Sequence, residues 1–392
     1  MKRLFAAKVK VRVIFSLLAL CTVAALSLPA GAYAADYDPD LYHGPTEADK
    51  LYIQQLIQER SMRPKGMEIL AAPTGTVWTP GEYEALYGPI VCWKGYASEL
   101  TDFVVGVTTD PNMDSVAFVA VPSSSQSSAY STLQSGGADM DRVKFMVYDT
   151  GTGGVWVRDF GPRYIYEDGD PAIIDFTYNR NRPSADAFPA WIRTNDIPFL
   201  QDEPLYEMDL THGGGNFHCV SDGNAFMSTL ILDENTDKNQ SEIETIIEDH
   251  HNVNVTIWDR LPDEIERITG HIDMWLLPLS DNKILVSDFP EEEDYSAANA
   301  IVDGATADLE AMGYTVYRTL SWNTSPGSAS SGTYYTYTNA AIINKRVFIP
   351  YYGGAYTDED ADALAVFKAA LPDHTIIPWN ASSISSAGGA IH

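Results

Sequence analysis

Five short motifs carry the residue types that could do chemistry in this 392-residue chain. The run Val155-Trp156-Val157-Arg158-Asp159-Phe160-Gly161-Pro162 ends an apolar stretch with a cation, an anion and a turn. As a strand it would place Trp156 and Arg158 on one face and Asp159 on the other. An Arg-Asp pair at a strand end also suits a plain structural ion pair. Thr211-His212-Gly213-Gly214-Gly215-Asn216, with Asp222-Gly223 beyond, offers backbone that a ligand could approach closely. No Lys-Ser/Thr follows it, so it is not a phosphate-binding P-loop. Neighbouring His218 and Cys219 read as buried strand residues before they read as a zinc site or a nucleophile.

In Thr269-Gly270-His271-Ile272-Asp273, the histidine and the aspartate are two apart and would share one face of a strand. Such a pair supplies a general acid/base beside an anion that can hold a cation. It could also be half of a metal site, but no third ligand stands at a suitable spacing, so no metal is expected. Asn339 closes Thr336-Tyr337-Thr338-Asn339, ahead of a hairpin that turns at Asn344-Lys345-Arg346. Ala387-Gly388-Gly389-Ala390-Ile391-His392 ends the sequence on a glycine pair leading into a strand, so the boundary reads as cut.

These motifs need elements to hold them. Apolar strands marked by Tyr148, Tyr206, Trp258, Tyr317 and Trp379 recur at intervals of 52 to 62 residues. Asp159, Asn216, His271 and His392 follow them by 10 to 13 positions, and Asn339 by 22. Periodicity predicts helices over Ser241–His250, Ala297–Met312 and Asp360–Leu371, with core positions at Ile243, Ile246 and Ile247, at Ile301, Ala305, Leu309 and Met312, and at Leu364, Phe367 and Leu371. Ser123–Ser128 reads as a loop. Repeats of this length suggest five α/β units around an axis, with their loops at one centre. The alternative is an ordinary α/β sheet with coincidental spacing.

The bulk properties narrow the class. Lys2, Arg3, Lys8, Lys10 and Arg12 precede an apolar run from Val13 to about Leu28, and Ala32-Tyr33-Ala34 offers a cleavage site. Residues 1–34 therefore read as a secretory signal peptide, 35–70 as an N-terminal extension and 71–392 as one large domain. The expected location is secreted or periplasmic. The net charge is −29 over the whole chain, and the leader would remove five basic residues and no acidic one. Nucleic acid is excluded as a general partner on that charge. An acidic surface serves solubility first, and it would also draw in cationic substrates. Cys92 and Cys219 sit in unlike contexts and are not expected to pair.

Taken together, the Arg-Asp-x-x-Gly/Pro end, the Gly-Gly-Asn loop followed by Asp-Gly, the Gly-His-x-Asp motif and the closing Gly-Gly-x-x-His resemble the guanidino-group-modifying pentein enzymes. The set is most similar to the agmatine deiminase and bacterial peptidylarginine deiminase branch, and the resemblance runs from about residue 75 to the end. It implies a five-unit pseudosymmetric α/β propeller with an incomplete last unit, and no cofactor. It implies that Asp159 and Asp273 clamp a guanidinium, that His271 exchanges protons, and that Asn339 supports substrate or nucleophile. Trp156, Gly214, Gly215, Asn216 and His392 would complete the pocket wall. The loop from Asn216 to Asp222 is about two residues longer than the family pattern. The family's thiolate would come directly after His392. Asp175-Phe176-Thr177-Tyr178-Asn179-Arg180-Asn181-Arg182-Pro183 resembles the segment whose two arginines hold the carboxylate of a C-terminal arginine, which favours a peptidyl-arginine substrate. An agmatine-type enzyme and a non-catalytic arginine binder are the alternatives.

Overall fold

The computed structural model describes residues 46–62, 72–110, 114–151, 154–195, 197 and 203–392. The stretch read as a signal peptide, and the extension outside 46–62, fall beyond the described residues. Those described belong to one unit, Tyr37–His392.

The architecture is mixed α/β, built on five small sheets. Four of them repeat one plan: an antiparallel hairpin, a helical connection, then a strand parallel to the second hairpin strand. The first pairs Arg163–Glu167 with Asp170–Tyr178, then Leu205–His212, with Val77–Trp78 on the outer edge. The second joins His218–Val220, Asn224–Ser228 and Asn254–Trp258. The third joins Leu276–Ser280, Lys283–Asp288 and Thr315–Asn323, with Tyr334–Thr336 added. The fourth joins Ala341–Ile343, Arg346–Tyr351 and Thr375–Asn380. The fifth sheet, Ile90–Cys92, Ala117–Val121 and Val143–Val147, is parallel throughout.

Local chemistry explains where these elements turn. Asp168 and Gly169 both take positive φ, the backbone of a two-residue hairpin turn that matches strand twist. The Asn344 turn lacks glycine, yet Asn344 itself adopts φ 56°, which its short polar side chain tolerates. The helix Gln240–His251 begins on a reciprocal capping box between Asn239 and Glu242. Ile243 and Ile247 are buried and Ile246 packs partly, as the spacing predicted. The helix Ser296–Met312 forms where expected, but its core stripe is Ala298, Val302, Ala305 and Leu309. Ala305 and Leu309 are shared with the expected stripe, and Met312, the last residue of the helix, is exposed. The third predicted helix runs Thr357–Ala370 and buries Ala363 and Phe367.

Other expectations need correction. The helix Gln126–Gly136 starts inside the serine run read as a loop. Tyr206 and Tyr317 lie near the starts of their strands, not at the ends. Val157–Asp159, Gly214–Asn216 and Ile272–Met274 are single 3₁₀ turns where extended backbone was expected for the first and third. A 3₁₀ turn brings side chains inward at the end of a short connection, which a strand would alternate.

Candidate active site

The three 3₁₀ turns meet. A side-chain carbon built on Gly215 would lie 2.6 Å from His271 Nδ1, 2.9 Å from Asp273 Oδ2 and 3.1 Å from Asp159 Oδ1. Only glycine can stand where these groups converge. His271 Nδ1 is 3.7 Å from Asp159 Oδ1. Gly213 is similarly hemmed in, with Asn179 Nδ2 and His271 Nε2 each 2.7 Å from the position of its missing carbon. Gly214 packs against the Arg158 carbonyl, leaving no room for a side chain.

Asn216 is buried and faces backbone. Its Oδ1 accepts the N–H groups of Ser228 at 2.9 Å and Ile272 at 3.1 Å, and its Nδ2 donates to the Ser228 carbonyl at 3.2 Å. It thereby ties the glycine turn to the His271–Asp273 turn. Glu266 holds that turn from the other end. Its carboxylate accepts the N–H groups of Ile268 (3.0 Å), Thr269 (3.0 Å) and Gly270 (2.6 Å), and the Thr269 hydroxyl at 3.2 Å.

The end of the chain joins the same centre. Asn339 donates through Nδ2 to Asp273 Oδ2 at 3.1 Å, and its Oδ1 accepts the Ala390 N–H at 2.7 Å. His392 sits with Nδ1 at 2.8 Å from Asp273 Oδ2 and Nε2 at 2.7 Å from Glu82 Oε2. Trp156 donates its indole N–H to the Ala390 carbonyl at 3.1 Å. The indole therefore supports the terminal segment, with Gly389 sparing it a clash.

Arg158 forms its ion pair with Glu82, not with adjacent Asp159. It also donates to the carbonyls of Gly214 and Phe217. Burial opposes the charge of Glu82, but Arg158, His392 and His218 hold its carboxyl well below the usual carboxylate range. Burial likewise opposes charge on His392, yet Glu82 and Asp273 push its pKa up to about 9. His218 stacks on His392 at 5.0 Å and stays neutral, because burial drives its pKa down to about 3.

Ligand atoms of Glu82, His218 and His392 lie within 4.8 Å of one another. That donor set could take a divalent ion, with Asp273 orienting His392 from behind. Glu82, however, already carries the Arg158 guanidinium, and His392 spends both ring nitrogens on carboxylates. A dication would have to break both arrangements beside a fixed positive charge, so the geometry fits an ion-pair network better than a metal centre.

Cys219 is buried, with Sγ 3.1 Å from the Pro80 carbonyl. Burial, reinforced by Glu82, pushes its thiol up to about 12, so it is not poised as a thiolate. Cys92 is also free and buried.

Arg180 and Arg182 flank the site through Asn179. Asn179 donates to Glu234 Oε1 at 2.6 Å. Arg180 is buried; Arg182 is partly exposed and donates to the Tyr178 hydroxyl at 3.3 Å. Burial pushes the carboxyls of Glu234 and Asp175 up to about 8 and about 7. Asp159, His271 and Asp273 are each at most 4% exposed, so the centre where they meet is closed to solvent. A cavity of about 1320 Å³ has Trp156, Arg158 and His392 in its wall, and Asp159, His271 and Asp273 are not among its lining residues. Glu82, Glu234 and Glu266 had no motif to announce them and are brought in by the fold.

The chain has relatives of known kind. It is 22% identical over 291 residues to agmatine deiminase of Pseudomonas putida, covering 64% of this chain and 76% of that one. With agmatine deiminase of Stutzerimonas stutzeri it shares 23% over 292 residues, covering 65% and 77%. An agmatine deiminase of C. jejuni with substrate bound superposes with a TM-score of 0.68 at 19% identity, over 83% of this chain and 97% of that one. Agmatine deiminase of Enterococcus faecalis gives the same TM-score, identity and coverage. These two share the fold. The Porphyromonas-type peptidyl-arginine deiminase family matches residues 92–392, and the chain belongs to that family, within the pentein-type deiminases.

Proposed function

We propose that this chain is the scaffold of an exported deiminase that converts the guanidinium of C-terminal peptidyl-arginine to citrulline and ammonia. The observation that carries the reading is the convergence of Asp159, His271 and Asp273 on Gly215. Two carboxylates and a histidine around one glycine form a cradle for a planar cation with a proton donor beside it.

A guanidinium carbon is a poor electrophile, so it must be held and attacked by a strong nucleophile. Asp159 and Asp273 fix the cation by charge-assisted hydrogen bonds. The thiolate of a cysteine directly after His392 adds to the guanidinium carbon. His271 gives a proton to the departing ammonia, then takes one from the water that cleaves the carbon–sulfur bond. That step yields citrulline and returns the thiolate. Arg180 and Arg182 would hold the substrate carboxylate, a task suited to guanidinium forks. The five sheets are read as five units of one propeller. The leader at residues 1–34 supports export.

The agmatine-type reading is favoured by the names of the relatives above, all agmatine deiminases. Agmatine has no carboxylate for Arg180 and Arg182 to meet, which places it second. The deciding measurement is ammonia release from the chain extended by Cys after His392, with peptides ending in Arg as the free acid or the amide. Preference for the acid, lost on replacing both arginines by Ala, supports peptidyl-arginine. Equal rates, or turnover of agmatine alone, overturn it. The extension carrying Ala in place of Cys, and the unextended chain, should release no ammonia. Losing the nucleophile of a hydrolytic triad costs on the order of 10⁶ in turnover.

A further inference from the structure

The helix Glu47–Ser61 is attached in an unusual way. It is polar overall, and Leu51 is exposed. Among its described side chains only Asp49 is buried, at 4% exposure. A helix that seats on a protein surface normally buries an apolar stripe. This one part-buries Tyr52, Ile53, Leu56 and Ile57 at that spacing, and the side chain it buries fully is a carboxylate.

That carboxylate is directed at the two arginines' segment. Asp49 Oδ1 accepts the N–H of Asn181, the residue between Arg180 and Arg182, at 2.7 Å. Oδ2 accepts the Thr46 N–H at 2.8 Å and the Thr46 hydroxyl at 2.7 Å, while Thr46 Oγ1 accepts the Asp49 N–H at 3.2 Å. Thr46 and Asp49 thus form the helix's own N-terminal box. Burial opposes the charge of Asp49, but the hydrogen bonds from Thr46 and Asn181, with a smaller contribution from the Arg180 charge, hold its carboxyl below the ordinary range.

We propose that Asp49 is a resident stand-in for the substrate's carboxylate, and that the helix Glu47–Ser61 is a tethered competitor which substrate must displace. The inference rests on Arg180 and Arg182 binding a carboxylate, as read above. The physical case has three parts. An anion of the right chemistry already meets the segment assigned to bind that anion. The helix buries no apolar side chain fully, with Tyr52, Ile53, Leu56 and Ile57 part-buried, so its release costs less than that of a core helix. The groups around Gly215 are closed off, so entry of a substrate requires something to move. A tethered ligand at high effective concentration lowers the apparent affinity of a free one without touching the guanidinium clamp.

The test is titration calorimetry on the full chain and on its Asp49→Asn variant, using a tripeptide ending in arginine as free acid and as amide. Asn keeps the acceptor for Asn181 and removes the charge. The variant should bind the free acid roughly tenfold more tightly and bind the amide with little change. Hydrogen exchange over residues 47–61 of the unaltered chain is the second measurement. It should accelerate on adding the free acid and not on adding the amide, which holds even if the variant folds poorly. A chain that prefers acid to amide, but gains nothing from Asp49→Asn and shows no faster exchange, overturns the competitor while leaving the carboxylate reading intact. Equal binding of acid and amide by both forms overturns both.

Discussion

Asn339 and Asp273 share a buried hydrogen bond, Nδ2 to Oδ2 at 3.1 Å, between residues 66 positions apart. The same amide takes the Ala390 N–H on its oxygen. One side chain therefore fixes the orientation of the Asp273 carboxylate and the entry of the terminal segment together.

Replacing Asn339 by Ala leaves a buried N–H and part of a buried carboxylate unsatisfied. The expected cost is roughly 1–3 kcal/mol, read as a lower urea midpoint. Asn339→Asp should do worse at pH 7 than at pH 4, since it sets a second carboxylate against Asp273. An unchanged midpoint for both variants would mean the bond contributes nothing.

The two aspartates proposed to clamp the guanidinium should be separable from the fold. Asp159→Asn and Asp273→Asn keep shape and remove charge from a site where charge is costly to bury. Each should weaken binding of a free-acid arginine peptide by roughly 10- to 150-fold, the worth of one charge-assisted bond. Binding of the citrulline analogue, whose side chain carries no charge, should change little. Equal losses for both ligands, measured by calorimetry, would point to damage of the pocket instead of loss of a cation clamp.

Stability should fall on both sides of pH 6.5. His392 is raised in the folded chain to about 9, so its contribution is complete below its ordinary pKa and disappears as pH climbs towards 9. His218 is lowered to about 3, with His212 and His251 also held neutral by burial. Those three favour the unfolded chain as pH drops below 6.5, because only the unfolded form takes up their protons. Glu234 and Asp175, raised to about 8 and 7, add to the alkaline loss, which for them starts above their ordinary carboxyl range. Urea midpoints against pH check this. His392→Gln should flatten the limb between pH 7 and 9, and an unaltered slope would remove His392 as its cause.

The glycine and His-x-Asp motifs were legible because their spacing is local. Gly213, Gly214 and Gly215 announce a close approach, and the structure fills each missing side chain with a site atom. The local geometry was misread at Val157–Asp159 and Ile272–Met274, since an apolar alternation of three or four residues suits a strand or a tight turn equally. Glu82 was invisible for a different reason. Its partners Arg158, His218 and His392 are distant in sequence, and nothing around Pro80-Gly81-Glu82 separates it from a solvated loop acid. Asp49 was illegible likewise: it lies in a stretch read only as an N-terminal extension, and its partner Asn181 is 132 positions away.

Glu266 should matter for His271 more than for the ligand directly. It is 1% exposed and gathers three successive backbone N–H groups, with the Thr269 hydroxyl, immediately before Gly270-His271. Truncation to Ala would orphan those donors in the interior, at a cost of roughly 1–3 kcal/mol for each left unpaired. Glu266→Gln keeps one acceptor oxygen and puts an N–H₂ where an acceptor is needed, so it should be milder but still loosen the turn. In the chain extended by Cys, a loosened turn misplaces the proton donor without removing the cation clamp. Glu266→Gln should therefore lower kcat while KM for an arginine peptide stays nearly constant. Proton transfer by a positioned side chain is worth roughly 10²–10⁴ in rate, which bounds the fall. If Glu266 merely stabilises the fold, kcat per folded molecule will match the unaltered enzyme once the unfolded fraction is measured by circular dichroism.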